Sequence, residues 1–212
     1  MKRILVVGGG PINQAYLKSQ LVTGAELIIA ADKGGAYILK AGYRPNLLIG
    51  DFDSLDYSIV QELKKAGTEI LSYPAAKDQT DLELAIDLAV KKNPDRIDII
   101  GGLGGRLDHT LGNIGLLLRA LENNIEAHLL SEDHDITVIN KEMVLKREPG
   151  WAVSLIPLTM KVIDVTTSGL AFKLEKAVLY SHNTRGIHNE FAEETAKIEL
   201  TQGILMVICF KY

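Results

Sequence analysis

Ile4-Leu5-Val6-Val7-Gly8-Gly9-Gly10 carries four consecutive apolar residues and then three glycines. A short β-branched run of this kind, without polar alternation, predicts a strand buried on both faces, as parallel sheets require. The segments that follow repeat the pattern with helices between. Residues 13–21 have helical spacing, 27–31 read as a second strand, and 33–41 as a short helix closed by Gly42. A third strand at 47–49 ends in Gly50-Asp51-Phe52-Asp53-Ser54. Residues 58–66 predict a helix closed by Gly67, and 69–73 a strand ended by Pro74. Thr80 or Gln79 caps the strongest helix, with Glu83 as the capping-box acid. Leu82, Ala85, Ile86 and Ala89 form its apolar face. A strand at 96–100, a helix at 108–123 and a strand at 126–130 complete the series. Strands separated by helices of this length predict an α/β parallel sheet.

The last third changes character. From about Ile136 no long helix is expected. Residues 153–156, 161–165, 177–180, 196–200 and 204–210 are strand-like, several with period-two alternation. Gly150, Gly169, Gly186 and Gly203 punctuate them as turns would. Residues 136–212 therefore predict an antiparallel β-sandwich domain behind an α/β domain at 1–135.

Composition bounds the rest. A chain of 212 residues, 47% hydrophobic and 24% charged, is an ordinary globular protein of one or two domains. A net charge of −4 argues against nucleic acid as a partner, since duplex binding needs a basic footprint. The lone Cys209 cannot form an internal disulfide or a multi-cysteine metal site, which suits a reducing, cytoplasmic setting. The apolar run before Gly8 is too short for a signal sequence, and no stretch of ~18 apolar residues is present to span a membrane.

The acids are unevenly distributed. Of 13 aspartates, only Asp164 lies beyond Asp135. Asp32, Asp51, Asp53, Asp78, Asp81 and Asp108 fall after predicted strands, at the sheet edge where ligands bind. Carboxylates gathered there invite a hard divalent metal, and Mg²⁺ typically takes one or two of them plus substrate phosphates. In an extended Asp51-Phe52-Asp53 both carboxylates would face one ion, with Phe52 turned into the core. Helix capping by Asp53 or Ser54 is the other reading. Asp78 and Asp81 share a face at the start of the strongest helix, where acids also compensate the helix dipole. Gly101-Gly102-Leu103-Gly104-Gly105-Arg106-Leu107-Asp108-His109 combines a glycine-rich loop, an arginine and a helix N-terminus, as an anion cradle does.

Other signatures are missing. There is no G-x-x-x-x-G-K-[ST] phosphate loop and no G-x-S-x-G nucleophile elbow. Asn13 stands where a dinucleotide fingerprint needs its third glycine. The histidines, among them His128, His134 and His182, lack helical metal spacing.

Taken in order, Ala31-Asp32-Lys33-Gly34-Gly35-Ala36, Gly50-Asp51-Phe52-Asp53-Ser54, Lys77-Asp78-Gln79-Thr80-Asp81 and residues 101–113 resemble the thiamine pyrophosphokinase family, bacterial form, over essentially the whole chain. The resemblance implies transfer of the pyrophosphoryl group of ATP to the hydroxyethyl oxygen of thiamine, with Mg²⁺, in a homodimer that shares its active site between subunits. It implies magnesium-binding roles for Asp51, Asp53 and Asp81, and places Asp78 and Asp108 beside the transferred group or the thiamine hydroxyl. It assigns Gly102, Gly105 and Arg106 to the ATP phosphates and Asp32 to the nucleotide. In the tail, Ile187-His188-Asn189-Glu190 resembles a Ser-Asn-Glu signature that holds thiamine, with His188 in the serine's place. Phe172 stands where relatives carry an aromatic residue against thiamine; a sandwich-core position is the other reading. Two alternatives remain at this level: a pyrophosphokinase acting on a hydroxymethylpterin, and a nucleotide-binding module without turnover.

Overall fold

The computed structural model describes residues 1–212. They fall into two compact units, Met1–Glu132 and Asp133–Tyr212. The first contains, in chain order, β1 (Arg3–Val7), α1 (Gln14–Val22), β2 (Leu27–Ala31), α2 (Gly34–Lys40), β3 (Leu47–Gly50) and α3 (Tyr57–Lys65). These are followed by β4 (Glu69–Ser72), α4 (Asp81–Lys91), β5 (Arg96–Ile100), α5 (Leu107–Glu122) and β6 (Glu126–Leu130). All six strands are parallel, in the order β6-β5-β1-β2-β3-β4. The quoted apolar run is the centre of this sheet: Ile4 pairs with Leu27 on one side and Ile97 on the other. Ile4, Leu5, Val6 and Val7 are fully buried. One carboxylate accompanies them inside. Asp98 on β5 is buried and ion-paired to Arg3 Nε at 2.5 Å and Arg96 Nε at 2.7 Å.

The chain builds outward from β1 to β4 and then crosses back to place β5 on β1's other side. The loops after β1 and β5 therefore leave the sheet in opposite directions, which opens a crevice at their C-terminal ends. Gly8 N–H donates to Ile100 O at 2.7 Å, and Gly10 N–H to Gly101 O at 3.0 Å. A Cβ on Gly10 would lie 2.5 Å from Gly101 O, so only glycine permits this approach.

α4 buries Leu82, Ala85, Ile86 and Ala89, as its spacing predicts. Thr80 is its cap, accepting from Glu83 N–H at 3.1 Å. The reciprocal half of the capping box is absent. Arg119 on α5 draws the Glu83 carboxylate to 2.5 Å, an ion pair between two charged groups in place of a bond to a neutral backbone N–H.

The second unit has two antiparallel sheets. One holds β7 (His134–Ile139), β9 (Trp151–Pro157), β12 (Asn189–Glu190) and β14 (Leu205–Lys211), ordered β12-β9-β14-β7. The other holds β8 (Glu142–Lys146), β10 (Lys161–Ser168), β11 (Ala177–Tyr180) and β13 (Thr195–Glu199), ordered β11-β10-β13-β8. Val153, Leu155, Leu205 and Val207 from the first sheet share one core with Val162, Val165, Ala196 and Ile198 from the second. The sequence pattern predicts no strand between residues 130 and 153, yet β7 and β8 lie there. The polar residues His134, Asp135, Glu142 and Lys146 at their ends mask short apolar centres.

Candidate active site

A cavity of about 440 Å³ occupies the crevice between the β1 and β5 loops. Gly9 and Gly10 line one wall and Gly101, Gly102, Gly104 and Gly105 another. Asn113 Nδ2 donates to Gly102 O at 2.8 Å and fixes the second loop to α5. Asp32 and Lys33 enter from the end of β2, and Asp81 from the start of α4.

The hydrogen bond from Asp32 N–H to Ile49 O, 2.9 Å, ties the ends of β2 and β3 together. It brings Asp32 to Asp51 and Asp53, and one ligand oxygen from each lies within 4.8 Å of the others. The route differs from the extended segment expected from sequence. Phe52 has a φ of +62°, so the chain kinks and Asp53 N–H donates back to Asp51 Oδ1 at 3.1 Å. Phe52 still packs against the sheet core. Ser54 Oγ donates to Asp32 Oδ2, while Asp32 Oδ1 is buried without a hydrogen-bond partner. Three hard oxygen donors, one of them orphaned, fit a divalent cation.

Sequence reasoning expected Asp81 as the third acid of this set. Lys77 lies between it and the others: the ammonium is 3.1 Å from Asp81 Oδ1, 3.7 Å from Asp51 Oδ2 and 3.1 Å from Pro74 O. Asp32 stands with Asp51 and Asp53 as a trio. The electrostatics follow. The Asp53 N–H, and then Lys77, hold the Asp51 carboxyl below the usual range against its desolvation. The Asp51 charge raises Asp53. Burial raises Asp81, opposed by Lys77 and reinforced by the charges of Asp51 and Asp32.

Arg106 and His109 also line the cavity. Arg106 grips Asp108, Nη2 to Oδ2 at 2.5 Å, and this bond lowers the Asp108 carboxyl. Asp78 is exposed on the turn before α4, outside the lining. The sequence motifs contained Lys33, Lys77 and Asn113 without marking them as site residues; a cation within an acid-rich motif is the signal that could have found the first two.

The second unit has its own cavity, about 380 Å³, lined by Phe172, His188 and Asn189 together with Lys173 and Arg185. Phe172 is 69% exposed, which removes the core reading. His188 takes a φ of +57° and its N–H donates to Ser154 Oγ at 3.0 Å. Its ring lies 5.5 Å from that of Tyr212 and 5.7 Å from that of Phe210. These two aromatics and the cations Lys173 and Arg185 escaped sequence reasoning, since loop residues and strand ends carry no periodic signal.

Comparison with known proteins agrees with this architecture. The family described as "Thiamin pyrophosphokinase, catalytic domain" matches residues 18–129, and "Thiamin pyrophosphokinase, vitamin B1 binding domain" matches residues 135–205. Thiamine pyrophosphokinase of Bacillus subtilis is 35% identical over 210 residues, covering 98% of both chains. Thiamine pyrophosphokinase 1 of Oryza sativa subsp. japonica is 29% identical, covering 80% of this chain and 67% of its own. The crystal structure of the Bacillus subtilis enzyme superposes with a TM-score of 0.90 at 32% identity over 100% of both chains. That of Geobacillus thermodenitrificans thiamin pyrophosphokinase gives 0.85 at 31% identity, covering 99% of this chain and 98% of that one. With two family domains in order and full-length relatives above 30% identity, the chain belongs to the thiamine pyrophosphokinase family.

Proposed function

We propose that this protein transfers the β,γ-pyrophosphoryl group of ATP to the hydroxyethyl oxygen of thiamine, releasing AMP. The observation that carries the reading is the convergence of two mutually hydrogen-bonded glycine loops and an acid trio at one crevice, in a chain of this family. In this reading the first unit is the ATP and Mg²⁺ domain, and the second the thiamine domain. The pterin alternative is not favoured, because both family domains are those of thiamine pyrophosphokinases.

Pyrophosphoryl transfer asks for positioning and charge neutralisation more than covalent catalysis. Asp32, Asp51 and Asp53 would hold Mg²⁺, with Asp81 beside them. The ion supplies neutralisation of the phosphate charge. Backbone N–H groups of the loops around Gly102 and Gly105 cradle the phosphates. Arg106, aimed by Asp108, and Lys33 add positive charge to the same cavity. Asp78 or Asp108 would accept the alcohol's proton. Phe172, His188 and Asn189 line the thiamine cavity, where an aromatic face suits a cationic ring. A homodimer with a shared active site, working in the cytoplasm where ATP is available, completes the proposal. It is supported by the family resemblance and by Leu107 and Leu111, 71% and 60% exposed one turn apart on α5.

The test is an ATP-consumption assay with Mg²⁺ and either thiamine or a hydroxymethylpterin. AMP released only with thiamine is the expected outcome. ADP as product, or AMP released only with the pterin, overturns the proposal.

A further inference from the structure

In the second unit an exposed aromatic ring is held by a buried amide. Phe172 is 69% exposed and Asn189 only 6%. Phe172 lies outside every strand, between β10 and β11. Its two backbone polar groups nonetheless have partners, both on one side chain. Phe172 N–H donates to Asn189 Oδ1 at 2.9 Å, and Asn189 Nδ2 donates to Phe172 O at 2.7 Å. The carboxamide thus imitates one rung of a sheet ladder. Glu190 N–H adds a third bond to Oδ1 at 3.0 Å.

The clamp is anchored at both ends. Asn189 belongs to β12 and pairs with Val153 of β9. The next residues continue the zipper, with Ala171 N–H donating to Glu190 O at 2.8 Å and Leu170 bridged to Phe191.

This arrangement leaves Asn189 little to give a ligand. A carboxamide oxygen has two lone pairs, and both are occupied. One of its two N–H donors is spent on Phe172. What the clamp controls is where the Phe172 ring stands at the mouth of the 380 Å³ cavity. With its backbone already fixed, only the ring's own torsions remain to be ordered when it meets a substrate, so binding costs less.

We infer that Asn189 is a positioning residue for the acceptor. It acts through Phe172, setting that ring against a cationic aromatic substrate, and does not touch the substrate itself. The inference rests on the thiamine reading of this cavity.

A double-mutant cycle tests it, read as thiamine affinity by calorimetry and as KM and kcat for each substrate. Phe172→Ala is expected to weaken thiamine about 2- to 30-fold, the range of a lost cation–π wall. Asn189→Ala is expected to weaken it by no more than that. The double variant should bind thiamine no worse than Phe172→Ala alone, because the clamp has nothing left to position. KM for ATP, read in the same assays, stays at the wild-type value throughout. Asn189→Asp keeps the shape and the acceptor while losing the donor to Phe172 O. It replaces the alanine variant in the cycle if melting curves show that Asn189→Ala does not fold. Losses that add in the double variant mean direct contact with thiamine and overturn the inference. So does unchanged affinity in the Asn189 variants when Phe172→Ala is weakened. Unchanged affinity in Phe172→Ala overturns both the inference and the thiamine reading of the cavity.

Discussion

The Lys77 ammonium lies 3.1 Å from Oδ1 of Asp81, four residues further along the chain. Both side chains are largely shielded from water, and Asp51 lies on the lysine's other flank at 3.7 Å. The lysine is what keeps a half-buried carboxyl, already raised by burial and by two neighbouring acids, from rising further.

Lys77→Met should therefore move the acid limb of the pH–activity profile toward higher pH. The sign follows from the causes. Without the cation, desolvation and the charges of Asp51 and Asp32 act on Asp81 unopposed. A higher pH is then needed to ionise it. A kcat/KM profile whose acid limb stays in place or moves down in the variant contradicts this role.

Asp51→Asn and Asp53→Asn should each cost ~10²-fold or more in kcat, since charge neutralisation in the transition state is lost. The melting temperature should hold or rise in Asp53→Asn, whose carboxyl is raised by the Asp51 charge, and should fall in Asp51→Asn, which loses a carboxylate held ionised by the Asp53 N–H and Lys77. Near-normal turnover at saturating Mg²⁺, in variants shown by circular dichroism to be folded, would refute the assignment.

Asn13→Ala probes the fold apart from the chemistry. Asn13 Oδ1 accepts from Ala15 N–H at 2.9 Å and Tyr16 N–H at 3.1 Å, capping α1. Losing such a cap costs about 1 kcal/mol. Scanning calorimetry should show a drop of ~2–4 °C with kinetics unaltered. A large loss of activity without a thermal shift would mean the residue works in the site instead.

Light scattering at assay concentration should give twice the 23.2 kDa of one chain. Leu111→Glu on the exposed ridge of α5 should shift that mass toward a single chain. A wild-type mass of 23.2 kDa removes the dimer from the proposal.

Much of this was legible in the sequence because it is periodic or punctuated. The apolar runs gave the six parallel strands, and Gly150, Gly169, Gly186 and Gly203 all adopt the positive φ that their turns require. Contacts between segments were harder to read. Nothing near Asp32 in the chain signals that its N–H bonds Ile49 and so carries it to Asp51 and Asp53. The kink at Phe52 likewise departs from local preference, since a bulky residue at φ +62° is uncommon and is held there by the turn around it. The same holds for Asn189, whose motif suggests a ligand contact while its three hydrogen bonds all go to backbone.

The bonds from Gly8 to Ile100 and from Gly10 to Gly101 join residues more than ninety positions apart. Neither glycine loop is shaped without the other, so the cradle does not exist in a chain that has emerged only as far as β4. It comes into being only when β5 closes against β1, a long-range pairing that carries a loop-closure cost before its contacts repay it. Nucleotide binding then reports that closure, and by mass action secures it against reopening. During synthesis, the ability to hold a nucleotide would mark the moment at which the first unit becomes a finished domain.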